Sequence, residues 1–319
     1  MIVRWGLDEL EALLRELGIE RPYAIASDRW ANLPLRVTGR WSEVPTDRIA
    51  GVAAGAAGAD GLLAVGGGSA IDLAKSVSAE TGLRLVSVPT TYSGSEWTQF
   101  FGVRDPDRRM KGGGSGAHLA GIVYEPRLTV ELPRQESGGT ALNALAHSAE
   151  ALYVAGHNRD GDREALAGAT LIAQNLPRVL DNGHDLDART RLLEGAQHAG
   201  AALGSAGLAL GHAMAQAVGG RYGIPHGAAN AVCLPPALRF NAEVAPEALA
   251  RLGEALGGDP VERVRELARL GGYESLGALG VAEEDLAELG EAASKRNGAK
   301  MNPRPASPAQ IEELLRSVY

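Results

Sequence analysis

"LLAVGGGSAIDLAK", residues 62–75, decides how the chain is read. Residues 62–65 are an unbroken apolar run, as in a strand buried on both faces. Gly66, Gly67 and Gly68 follow, and the spacing then turns helical through "SAIDLAKSVSAETG". Glycines between a buried strand and a helix let backbone approach a phosphate closely. The helix N-terminus adds unpaired N–H groups and a partial positive charge. Ser69 reads as the helix cap, with Asp72 three residues on. The pattern is not the dinucleotide fingerprint G-x-G-x-x-G, because Ile71 stands where the third glycine belongs. It is not a P-loop either, since no Gly-Lys-Ser/Thr follows. Gly66, Gly67, Gly68, Ser69 and Asp72 are therefore candidates to hold a cofactor pyrophosphate; a plain tight turn is the alternative.

Outward from this turn, strands and helices alternate over the first 130 residues. "RPYAIASD" reads as a strand ending at Ser27–Asp28, "TDRIAGVAAGAAGA" as a helix, and "LRLVSVPTT" and "LAGIVYEP" as further strands. Such alternation predicts a parallel sheet with helices on its faces. "VPTTYSGSEWT" places Thr90, Thr91, Ser93 and Ser95 just past a strand's C-terminal end, where open parallel sheets bind ligands. Asp28 follows the first clear strand, where a carboxylate accepts both ribose hydroxyls of NAD and repels a 2′-phosphate.

From about Gly139 the spacing is helical almost to the end. "NALAHSAEALY" and "GHAMAQAVGG" carry apolar residues at i, i+3 and i+4. "ASPAQIEELL" has Ser307, Pro308 and Gln310 in the order of a capping box. The expected organisation is an α/β N-terminal dinucleotide-binding (Rossmann-like, parallel-sheet) domain over 1–135 and an all-α C-terminal domain over 136–319. The two join near residues 131–139.

Composition bounds the rest. The 319 residues are 45% hydrophobic but only 4% aromatic, so the core must be Ala, Leu, Val and Gly. Net charge is −8 and spread along the chain, which argues against nucleic acid or an anionic membrane as partner. A single cysteine, Cys233, excludes an intrachain disulfide and a Cys-based zinc site, and its apolar setting reads as a buried, inert thiol. No signal peptide is read in "MIVRWGLDELEALL" and no stretch is apolar enough to span a membrane, so a cytoplasmic protein is expected.

Asn143 and His147 lie at i, i+4 and share one helix face; His212 and Gln216 share another; His226 sits in a Pro-His-Gly turn before a further helical run. Three imidazoles and an amide brought together suit a polar site. A divalent metal would want a carboxylate beside the imidazoles, and Asn143 supplies none. The set predicts marginal metal affinity, with Asn143 as an orienting donor whose amide is available to a substrate oxygen.

"GGGSAIDLAK", "VPTTYSGSEWT", "NALAHSAEALY" and "GHAMAQAVGGRYGIPHG", in that order, resemble the iron-containing alcohol dehydrogenase superfamily, which includes dehydroquinate synthase and glycerol dehydrogenase relatives. The look is most similar to maleylacetate reductases, which share a "PTTYAGSE"-like segment, the Asn-x-x-x-His helix and an "NPRP" segment, here at 302–305. The resemblance implies a dehydroquinate synthase-like fold and a reductase using NAD(H), with NADP(H) less favoured. It places the pyrophosphate on Gly67, Gly68 and Ser69, and Thr90, Thr91, Tyr92 and Ser95 on the nicotinamide side. The metal-ligand positions of metal-dependent members fall on Asn143, His147, His212 and His226, with Asn where those members have Asp. The implied activity is metal-free reduction of a small carbonyl or enone substrate by a homodimer. Three features depart from the pattern: Gln216 replaces a usual second histidine, "PHGAAN" looks like the alcohol dehydrogenases, and the segment between Asp28 and Arg48 is short. Arg108, Arg109 and Lys111 are candidates to meet a substrate carboxylate. A metal-dependent dehydrogenase, a lyase or cyclase that recycles its cofactor, and a diverged paralogue without redox activity remain the alternatives.

Overall fold

The computed structural model describes all 319 residues. The chain forms two compact units, residues 1–91 with 95–129, and residues 92–94 with 130–319.

The first unit is built on a fully parallel six-stranded sheet. Its strands are β1 (Ile2–Trp5), β2 (Pro22–Ile25), β3 (Gly39–Trp41), β4 (Gly61–Gly66), β5 (Arg84–Pro89) and β8 (His118–Tyr124), in the order β1-β8-β5-β4-β2-β3. A separate antiparallel hairpin pairs β6 (Phe101–Arg104) with β7 (Met110–Gly114). Helices α1 (Leu10–Glu16), α2 (Ile49–Gly55) and α3 (Gly68–Thr81) complete the unit. Every residue of β4 is buried, which is why residues 62–65 carry no polar alternation. One face of the sheet packs Ile25, Leu62 and Leu85 under Ile71, Ala74 and Val77 of α3. The other packs Leu63, Val65, Val86 and Val123 under Leu10 and Leu13 of α1.

The segment between β2 and β3 holds only a single 3-10 turn, Asp28–Trp30, so no helix covers that crossing. Four strands went unread in the sequence: β1, β3 and the two of the hairpin, β6 and β7. They are short or exposed, and β7 is mostly glycine.

Glu125, just past β8, anchors the end of the sheet. Its carboxylate accepts the Leu7 N–H (3.0 Å) and the Arg127 guanidinium through Nε (2.8 Å) and Nη2 (2.6 Å). These bonds, Arg127 foremost, hold its pKa at about 2, against an ordinary 4.5. A folded pKa below the unfolded one means stability that is full above about pH 4.5 and is lost as pH falls toward 2. Glu125→Gln should therefore flatten the melting temperature against pH across that window. A curve parallel to the wild type's there would refute the assignment.

The second unit is helical: α4 (Arg134–Ala151), α5 (Arg159–Asp181), α6 (Leu186–Ala206), α7 (Leu210–Tyr222), α8 (His226–Asn241), α9 (Pro246–Leu256), α10 (Pro260–Leu270), α11 (Leu286–Ser294), α12 (Asn297–Met301) and α13 (Pro308–Arg316). The capping box at Ser307 and Gln310 is formed. Gly138 and Gly139 read as a helix boundary but lie inside α4. A Cβ at Gly138 would come within 3.1 Å of the Gly271 backbone, and one at Gly139 within 2.5 Å of the Tyr273 hydroxyl. These glycines serve close packing, not a break. The buried Arg189 donates to the Tyr92 hydroxyl (2.9 Å) and to the Gly183 carbonyl (2.6 Å). No helix is long and apolar enough to cross a membrane.

Candidate active site

In the first unit, β4 runs into the glycine turn and α3. Gly66 has φ +154°, a conformation that favours glycine, and a Cβ there would lie 2.7 Å from the Ala70 Cβ. A Cβ at Gly67 would lie 2.7 Å from Thr91 Cγ2. The helix starts two residues earlier than a cap at Ser69 implies: Gly67 is the N-cap, in extended conformation, and no side chain caps the end. Ser69 is thus a first-turn residue and not the cap, because the three-glycine turn lets helical geometry begin at Gly68. The Thr91 hydroxyl beside Gly67 is a buried polar atom with no hydrogen-bond partner. Uncapped N–H groups, an absent side chain at Gly67 and an unpaired hydroxyl suit a phosphate.

The other residues expected to face a cofactor divide. Thr90 is buried and donates its N–H to the Gly66 carbonyl (3.0 Å), tying β5 to the turn. Asp28 is exposed at the start of its 3-10 turn, with no protein partner. Asp72 is engaged internally: it accepts from Ser95 Oγ (2.6 Å) and the Gly102 N–H (3.1 Å) and pairs with the buried Lys75 (2.9 Å). Lys75 also donates to the carbonyls of Ser95 (2.9 Å) and Phe100. Asp72 and Ser95 therefore fix the 95–102 segment and neither caps α3 nor lies free for a ligand. Tyr92 is a correction too: it is wholly buried in the helical unit, with its hydroxyl on Arg189. On the β6–β7 hairpin, Lys111 pairs with Asp105 (2.9 Å), while Arg108 and Arg109 are exposed.

In the second unit the three histidines do come together. His147 on α4 and His212 on α7 stack, with ring centroids 4.8 Å apart and planes 14° from parallel. His226, the first residue of α8, lies 6.1 Å from His212, centroid to centroid. His147 and His212 are buried. Burial first, and then the neighbouring His212 and His226, hold the His147 pKa well below the ordinary imidazole value, so this ring is neutral at neutral pH. His147 Nδ1 and His212 Nε2 are buried with no hydrogen-bond partner.

Asn143 organises this cluster. Its amide nitrogen donates to the Ser93 carbonyl (3.1 Å) and meets His147 Nε2 at 3.4 Å, and its oxygen accepts from the Asn230 amide (2.7 Å). Asn143 thus has no amide proton left for a substrate oxygen; it orients His147. An amide nitrogen facing His147 Nε2 leaves that atom as acceptor and puts the ring proton on Nδ1. Sequence reasoning missed Asn230, although it lies one turn after His226 on α8. Gln216, one turn beyond His212, is half-buried within α7, and its side chain makes no hydrogen bond within the chain.

The donor set does not fit a metal ion. Imidazole lone pairs lie in the ring planes, and two stacked, near-parallel rings do not converge theirs on one point. The Asn143 oxygen is taken by Asn230, and no group of three or more His, Cys, Asp or Glu side chains is arranged to hold an ion.

Family models describe the chain along most of its length: an iron-containing alcohol dehydrogenase model matches residues 7–120, and the Fe-containing alcohol dehydrogenase C-terminal model matches residues 138–319. The chain is 38% identical to a maleylacetate reductase of Pseudomonas knackmussii over 263 residues, covering 82% of this chain and 74% of that one. It is 34% identical to the maleylacetate reductase of Pseudomonas sp. strain P51 over an alignment of 337 residues, covering 99% and 95%. The crystal structure of a maleylacetate reductase from Agrobacterium tumefaciens superposes with a TM-score of 0.89 at 30% identity, covering 100% of this chain and 95% of that one.

Proposed function

Because the chain belongs to the iron-containing alcohol dehydrogenase family and is an NAD(P)-dependent oxidoreductase, we propose that it reduces a small carbonyl or enone substrate, as its maleylacetate reductase relatives are named for doing, without a resident metal. The observation that carries this reading is Asn143, whose oxygen is held by Asn230 and whose amide turns toward His147.

The bound nicotinamide supplies the hydride for the substrate carbon. Gly66, Gly67, Gly68 and Ser69 present N–H groups to the pyrophosphate, with the Thr91 hydroxyl beside them. His147 offers an uncharged Nδ1–H donor to the oxygen that gains charge as the hydride arrives, in the role a Lewis acid has elsewhere. His212 supplies the proton and His226 borders the cluster. A substrate carboxylate, a homodimer and a cytoplasmic setting belong to the same reading.

The test is an NADH-oxidation screen over keto acids, enones and aldehydes, beside elemental analysis and dialysis against chelator. Turnover should stay within about twofold of the untreated enzyme. Stoichiometric iron or zinc, with activity lost on chelation and restored by the metal, would replace this reading by a metal-dependent dehydrogenase. No net NADH oxidation with any substrate would point to the lyase or cyclase alternative.

Asp28 makes NAD(H) the expected cofactor. Its unpaired carboxylate accepts ribose hydroxyls and repels a 2′-phosphate. Asp28→Ala should narrow the preference for NADH over NADPH by about tenfold, the worth of roughly 1.4 kcal/mol. A wild type that favours NADPH would overturn the assignment.

A further inference from the structure

Glu150 is wholly buried on α4, three residues past His147. Its carboxylate meets three donors, all from the start of α7. Oε2 accepts the Ala209 N–H (2.8 Å) and His212 Nδ1–H (2.7 Å), and Oε1 accepts the His212 backbone N–H (3.2 Å). Helix α7 has no capping side chain of its own, so Glu150 caps it from a different helix. Gly211 makes room for this: a Cβ there would lie 2.8 Å from Glu150 Oε1.

One consequence is chemical. A carboxylate at Nδ1 holds the ring proton on that nitrogen. The other ring nitrogen, Nε2, is buried and without a partner. We propose that Glu150 is a positioning residue that locks His212 with its proton on Nδ1, leaving Nε2 as the one ring atom through which His212 exchanges a proton with substrate. The lock is a matter of hydrogen-bond geometry; its use in turnover rests on the reductase reading above. As hydride adds to the substrate carbon, the electron pair of the carbonyl moves to oxygen. That oxygen takes the proton from Nε2 of the imidazolium. Nδ1–H stays hydrogen-bonded to Glu150, and Nε2 is reprotonated by the solvent proton that the reduction consumes.

Glu150→Gln keeps the shape but sets an NH2 group against either a backbone N–H or Nδ1, so the cap or the lock must yield. The lock is read directly by nitrogen NMR of histidine-labelled wild-type enzyme, which needs no variant to fold. The expected result is a protonated Nδ1 and an unprotonated Nε2 in the neutral His212 ring. In Glu150→Gln that pattern should be lost, and kcat should fall by about a hundredfold, the low end of acid–base contributions, with KM and NADH affinity within about threefold. Gly211→Ala, which presses on Oε1 without changing any charge, should lower kcat in the same direction by a smaller factor. The proposal is overturned by a His212 proton on Nε2 in the wild type, or by Glu150→Gln turning over at the wild-type rate. A wild type that oxidises NADH with no carbonyl or enone defeats the reductase reading and the proton route with it, while the NMR pattern judges the lock separately.

Discussion

Valine in place of Gly67 is expected to weaken NADH binding by at least about a hundredfold while the chain still folds. The Cβ alone would sit 2.7 Å from Thr91 Cγ2 and 3.2 Å from its Oγ1. Thr91 is short and β-branched, so it has little room to swing aside. Valine adds two methyl groups where the phosphate must approach. The turn must open, or Thr91 must move, and in both cases the N–H groups of α3 no longer converge with the Thr91 hydroxyl. A hydrogen bond to a charged group is worth about 1.5–3 kcal/mol, and losing two of them lowers affinity by about a hundredfold or more. A fluorescence titration with NADH beside a circular-dichroism melt measures both halves of the claim. Wild-type affinity in the variant would remove the pyrophosphate from this turn.

His147→Ala is the second large effect. The ring is buried, kept neutral by burial and by His212 and His226, and held by the Asn143 amide with Nδ1 unpartnered. An unengaged donor in a dry site is costly unless something uses it. The reductase reading gives it the developing oxyanion. Removing one such donor costs about 10²–10³ in kcat, so turnover should fall by about that much with NADH affinity unchanged. Asn143→Asp tests the same arrangement from below: a carboxylate cannot donate to the Ser93 carbonyl or to His147 Nε2, so it frees the ring to reorient. Steady-state kinetics on protein of unchanged melting temperature decide the matter. His147→Ala with wild-type kcat would take His147 out of the chemistry.

The glycine turn and the histidine helices were legible because each depends on local spacing. Four apolar residues before three glycines specify strand and turn, and i, i+4 puts Asn143 and His147 on one face. What was illegible depends on partners far along the chain. Glu150 reads as one residue of a mostly small and apolar helix face. Its donors are the Ala209 and His212 backbone N–H groups and the His212 ring, 59 and 62 residues later, which no local spacing reveals. Gly138 and Gly139 look like a stop until Gly271 and Tyr273 are packed against them. The resemblance of "PTTYSGSE" puts Tyr92 beside the cofactor, yet Tyr92 is buried in the helical unit, its hydroxyl accepting from Arg189, 97 residues on. Asp72 and Ser95, 23 residues apart, bond each other, so Asp72 is not a capping partner for Ser69 and neither is a free ligand group.

Cys233 has a practical consequence. It lies wholly buried on α8, and burial, aided by the charge of Glu150, pushes its thiol up to about 12. Alkylating reagents and peroxide attack the thiolate, and at neutral pH almost none is present. As the chain has no other cysteine, it offers no reactive thiol at its surface. A cysteine introduced at an exposed position such as Arg109 would then be the single point of attachment for a fluorophore or spin label. Distance and mobility measurements become accessible on the native background, with no cysteine-free variant to build first.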